Sequence, residues 1–181
     1  MRALLRVADA IDWLNDRIGR VTIWLVLVMI LLGFVNAALR YSGRWMGVNL
    51  TSNMSVEAQW YMFSLVFLLL AAYTLQRDRH VRVDVAYSRM SPRAQAWVNL
   101  VGGLLFLLPF CALIVYMSLP FVRASIRVWE MSPDPGGLPR WPIKLAIPVA
   151  FALLTLQGVS LVLRSAGTLA GHPPSATRGG R

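Results

Sequence analysis

The pattern of apolar and polar positions divides the chain into four long hydrophobic runs separated by short polar segments. The runs cover about residues 21–39, 58–75, 97–119 and 143–163. Each is close to the ~20 residues that an α-helix needs to cross ~30 Å of hydrocarbon. They predict an all-α integral membrane protein with four transmembrane helices. Ahead of the first run, Leu4, Val7, Ile11, Leu14 and Ile18 recur at spacings of three and four, which puts them on one helical face. Residues 1–19 are therefore expected to form an amphipathic helix lying on the membrane surface, with a plain cytoplasmic lead-in as the alternative. Asp9, Asp12 and Asp16 do not fit the basic start of a secretory leader, although Val35-Asn36-Ala37 looks like a cleavage site. Residues 20–164 then make up the four-span domain. Residues 165–181, rich in Gly, Ser and Pro, read as a disordered tail.

Local signals refine these elements. Glu57 stands at the start of the second run, where an acid suits the positive end of a helix, with Trp60 and Tyr61 at headgroup level. Ser91-Pro92 reads as an N-cap followed by a first-turn proline. In the third run, Gly102-Gly103 and Ala112 permit close helix contact, while Pro109 and Pro120 predict a kink and a bend. Residues 131–142 carry four prolines and two glycines, which forbid regular helix and predict a rigid loop. In the fourth run Pro148 lies in the first turns, and Gln157, set in hydrocarbon, is expected to find a partner on another helix.

Composition agrees with the pattern. The chain is 57% hydrophobic and 14% charged, against about 25% charged in soluble domains. The net charge of +10 comes almost wholly from arginine, Lys144 being the one lysine. These arginines flank apolar runs rather than forming one basic face, so they read as topology signals and not as a nucleic-acid surface. The N-terminal segment, the second connection and the C-terminal segment hold twelve Lys and Arg, the first and third connections six. The imbalance places both termini in the cytoplasm. Cys111 is the one cysteine. It excludes an intrachain disulfide and reads as a small buried apolar residue.

The densest charge lies in residues 76–87, where His80, Arg82 and Asp84 alternate with Val81, Val83 and Val85. Alternation suggests a short extended piece with one apolar edge. No nucleophile or metal partner accompanies His80 and Asp84, so a structural joint between two membrane hairpins is favoured over a catalytic site. GxxxxGK[ST], GxSxG and HExxH do not occur. Neither histidine falls within a run, which argues against bis-histidine haem, and no acid lies deep in one. The residues thus point to a scaffold subunit that is not an enzyme and needs no cofactor or metal.

The second run leading into Asp78-Arg79-His80-Val81-Arg82-Val83-Asp84-Val85, then Glu130-Met131-Ser132 and Gly136-Gly137-Leu138-Pro139, with Lys144, Ile147-Pro148 and Leu156-Gln157 beyond, carry a resemblance. The chain resembles the small permease subunit of tripartite ATP-independent periplasmic (TRAP) transporters, the DctQ-type family, over roughly residues 15–165. That resemblance implies a multi-pass protein of the bacterial inner membrane. Its partners would be a large DctM-type permease, a periplasmic solute-binding protein and membrane lipids. The small subunit would brace the large one for sodium-coupled, binding-protein-dependent symport. Candidate structural or partner-contact residues are Glu57, His80, Arg82, Asp84, Glu130, Ser132, Gly137, Pro139 and Gln157. The alternatives are a self-sufficient small homo-oligomeric transporter and a membrane-anchor subunit of a redox complex.

Overall fold

The chain folds, in a computed structural model, into an all-helical bundle; the structure describes residues 2–77, 87 and 89–171. In chain order the helices are α1 (Arg2–Met46), α2 (Asn53–Gln76), α3 (Pro92–Gly102), α4 (Leu108–Arg127) and α5 (Trp141–Leu169). A π-helical segment, Gly103–Leu107, joins α3 to α4. The joined pair, α1, α2 and α5 are four helices long and apolar enough to cross a membrane. The segment around His80, Arg82 and Asp84, and residues 172–181, lie outside the described residues.

Local chemistry explains most helix ends. α1 stops at Gly47, whose φ of +69° suits glycine, and Val48 N–H donates to the Gly43 carbonyl at 3.0 Å. This is a Schellman closure, with glycine in the left-handed position just past the helix. Ser52 caps α2 by accepting from Met54 N–H at 3.2 Å. Ser91 caps α3 by accepting from Ala94 N–H at 3.3 Å, with Pro92 following it, as the sequence indicates. Pro109 has no N–H, and its ring conflicts with the carbonyl four residues earlier. The chain answers with the wider π turn directly before it, in which Leu108 N–H reaches the Gly103 carbonyl. α4 continues through Pro120 to Arg127.

Three boundaries differ from expectation. No break separates residues 1–19 from the first span, because α1 is one helix of 45 residues. α5 begins at Trp141, two residues before the expected start, which makes Pro148 its eighth residue, inside the helix. α5 also runs past 163 to Leu169, which makes residues 165–169 helical rather than part of a tail. The first of these has a visible cause: Asp9, Asp12 and Asn15 tie the first half of α1 to Gln157, Ser160 and Arg164 of α5.

Burial follows the rule for a helix bundle in lipid. The buried apolar residues are mostly small: Ala8, Ala72, Ala96, Cys111, Ala146 and Ala150. The large ones, among them Trp24, Phe34, Phe67, Phe106 and Tyr116, point outward. Water would drive these inside, whereas lipid does not, and small residues let helix backbones approach. The inner seam of α1 is Ala8, Asp12, Asn15, Gly19 and Thr22, at alternating steps of four and three. The apolar stripe noted in the sequence lies away from that seam, with Leu4, Val7 and Leu14 exposed.

α5 is the centre of the arrangement. It contacts α1, α2, α3 and α4, while α1 and α2 form a hairpin beside it. A third of its most apolar window is buried, against 6% in α1 and in α2. Glycine sets the closest approaches. A Cβ on Gly19 would stand 2.4 Å from the Tyr73 ring, and one on Gly103 2.9 Å from Val162. Gly102 faces open space, so only its neighbour makes the expected close contact.

Candidate functional site

The polar side chains gather at the two ends of the bundle. At one end Glu57, one turn into α2, is buried at 3% exposure. Its carboxylate accepts from Ser132 Oγ and, at 2.5 Å, from Leu138 N–H. The Arg140 guanidinium stands 3.7 Å away and also lies over the Trp60 ring. One acid in α2 thus holds both sides of the loop between α4 and α5.

The loop is built to meet it. Met131 and Pro139 pair as an isolated antiparallel bridge, and Ser132 N–H donates to the Leu138 carbonyl at 3.1 Å. Gly136 turns the chain at φ +72°. Gly137 must be glycine for another reason. A Cβ there would stand 2.5 Å from Ser132 Cβ and 2.7 Å from Glu57 Oε2. Asn53 Nδ2 donates to the Pro135 carbonyl at 3.0 Å and Tyr61 OH to the Pro139 carbonyl at 2.8 Å. Outside this grip Glu130 pairs with Lys144, whose ammonium also lies 4.2 Å from the Phe121 ring centre. Hydrogen bonding from Lys144 holds the Glu130 carboxyl below its ordinary range.

At the other end the ties run between helices. Gln157 of α5 accepts from Asn15 Nδ2 and donates to Asp12 Oδ1, both at 2.8 Å. Ser160 Oγ donates to the same Asp12 oxygen at 2.8 Å. Arg164 reaches the second oxygen of Asp12 at 2.5 Å and Asp9 at 2.7 Å. From α2, Gln76 Nε2 donates to the Asp12 carbonyl at 2.9 Å, and Arg77 pairs with Asp16 at 2.6 Å. Asp12 is thus tied to two helices at once, and its charge is met by a guanidinium and two neutral donors.

The two groups are bracketed on α2 by Glu57 and Gln76, about 28 Å apart at 1.5 Å per residue. That is close to the ~30 Å of hydrocarbon in a bilayer. Gln157 therefore belongs at the edge of the apolar belt, level with Gln76, rather than near its middle. Five residues singled out in the sequence come together at the loop end: Glu57, Glu130, Ser132, Gly137 and Pro139. Gln157 is at the opposite end, and His80, Arg82 and Asp84 lie outside the described residues. Sequence reasoning missed Asp12, Asn15, Ser160 and Arg164. Their signal was present as a helical stripe at 157, 160 and 164 facing another at 8, 12 and 15.

Small residues within, large apolar residues without and polar ties at both edges define a multi-pass helical membrane protein. The family model for tripartite ATP-independent periplasmic transporters, DctQ component, matches residues 29–168, and the chain belongs to that family, the small membrane component of a TRAP transporter. The match covers Glu57, the whole α4–α5 loop, Gln157, Ser160 and Arg164, and begins after Asp12 and Asn15. No curated protein and no solved structure gives a match.

Proposed function

We propose that the chain braces a large DctM-type permease in the bacterial inner membrane, so that sodium-coupled uptake proceeds against a fixed frame. A periplasmic protein supplies the solute. The observation that carries this reading is the use made of the two buried acids. Asp12 and Glu57 are each consumed by ties within the chain. A carboxylate that couples transport must exchange ions or protons with a pathway. One engaged by a guanidinium and several donors serves rigidity instead. α5 is gripped at one end through Gln157, Ser160 and Arg164 and at the other through the loop that leads into it.

The outward apolar faces suit both lipid and the apolar flank of a larger permease. The charge pattern sets the Asp12 end in the cytoplasm and the Glu57 end in the periplasm. The test is deletion of this subunit with the permease and binding protein retained. Uptake is expected to vanish while solute binding by the periplasmic protein persists. Uptake that survives the deletion would overturn the reading.

A further inference from the structure

The end of α1 stands beyond the rest of the bundle. Asn36 of α1 accepts from Ser55 Oγ at 3.3 Å, which sets it level with the start of α2 and the Glu57 tie. α1 then continues to Met46, roughly 15 Å further at 1.5 Å per residue. The headgroup layer adds only about 5–7 Å to each side of the hydrocarbon. Residues 44–46 therefore project past the lipid headgroups into water, even with moderate tilt, while Arg40 and Tyr41 stand at the outer edge of the headgroup layer. It is closed off by the turn at Gly47, and at Gly43 the returning chain lies so near that a Cβ would stand 2.5 Å from the Val48 carbonyl oxygen.

What this tip displays is unusual for a surface in water. Tyr41 is 67% exposed and Trp45 90%. Arg40 and Arg44 are exposed beside them, and neither has an ion-pair or hydrogen-bond partner among the described residues. The spacing of four puts the two arginines in one row and the two aromatics in the next. No Asp or Glu occurs from residue 36 to residue 56, so nothing nearby in the sequence offsets the charge. Tyr, Trp and Arg are the residues that most often carry binding energy at protein interfaces.

We propose that residues 37–46 form a docking prong for a water-soluble protein partner, whose acidic face pairs with Arg40 and Arg44 around an apolar socket for Trp45. On the functional reading above, which this rests on, that partner is the solute-binding protein of the same system. The arginines speed encounter by steering and Trp45 slows release.

The test uses the complete transporter in lipid nanodiscs and the purified solute-binding protein as probe, with affinity measured at low and high salt. R40E/R44E is expected to weaken association at least about tenfold and to flatten its salt dependence. R40Q/R44Q should do the same to a smaller degree. W45A should weaken it at least about tenfold with the salt dependence kept. Co-purification of the large permease should stay unchanged in all three. Unchanged affinity in these variants would overturn the prong alone, as would loss of the permease with them, which would place the tip in the intersubunit frame. Quenching by lipid-borne quenchers of a fluorophore attached in W45C would also overturn it, by putting the tip in the membrane. Failure of the unsubstituted chain to co-purify with the permease would instead overturn the bracing reading.

Discussion

The two ends of the bundle solve one problem in different ways. Each must fix α5 against its neighbours, α2 at one end and α1 at the other, and each uses a buried acid. At the Glu57 end the acid grips a loop, and half of its direct donors are backbone: Leu138 N–H beside Ser132 Oγ. At the Asp12 end the donors on the carboxylate are side chains of α5: Gln157, Ser160 and Arg164. A backbone donor is supplied by loop shape, so that end depends on glycine and proline. A side-chain donor is supplied by helix register, so the other end depends on spacing. The loop grip therefore tolerates changes in neighbouring side chains but not in loop geometry. The helix tie tolerates no shift of α1 along α5.

The sharpest way to break this contrast is Arg164→Ala. It leaves the Asp12 charge buried with neutral donors only, and breaking such a pair costs roughly 3–5 kcal/mol. Thermal unfolding in detergent should fall accordingly, and Asp12→Asn in the same background should recover part of the loss. If Arg164→Ala leaves unfolding unchanged, Asp12 is not held by charge.

Gln157→Leu comes next. It removes one donor from Asp12 and one acceptor from Asn15, at about 1–3 kcal/mol for buried groups left unsatisfied. A loss of similar size is expected from Gly19→Ala, since the new Cβ meets the Tyr73 ring and overpacking costs about 1–3 kcal/mol. Both are read by the same unfolding assay. Their combination should add, because one acts through α5 and the other through the α1–α2 contact.

At the loop end the effect should be local. Glu57→Ala and Gly137→Ala are expected to speed protease cleavage within residues 128–140 by about an order of magnitude through local opening. The unfolding midpoint should move little. A large fall in that midpoint would show that loop and bundle form one cooperative unit.

The smallest effect concerns pH. The Glu130 carboxyl lies below its ordinary value of 4.5 because Lys144 hydrogen-bonds it. A group with a lowered folded value stabilises above its unfolded value and loses that contribution as pH falls through the folded one. Hydrogen exchange in the loop should therefore rise only as the medium is acidified below about pH 4.5, after correction for intrinsic exchange. Glu130→Gln should flatten that rise.

Much of the architecture was legible in the chain. Four runs of hydrocarbon length, the Ser91-Pro92 start and the helix-breaking loop each follow from chemistry within a few residues. The same holds for the candidates at the loop end, where Gly137, Pro139 and Glu57 announce themselves as a glycine-proline turn and an acid at a helix start. The Asp12 tie was not legible in the same way. Its members lie 142 to 152 positions apart, and no local rule pairs them.

The sequence by itself determined that the chain is membrane-embedded, how many helices cross and where the rigid loop falls, because these depend on hydrophobic length and on backbone permissiveness. Only the tertiary structure decided which face of α1 turns inward. Periodicity marks Leu4, Val7 and Leu14 as the sticky face, as it would be in water. The small and polar seam of Ala8, Asp12 and Asn15 turns inward instead, because its polar groups find their partners on α5 and its small residues let the helices approach. That inversion is also why α1 is one helix. Its first half is held to α5 by polar ties, so it continues the span instead of forming the separate surface helix that its apolar face foretold.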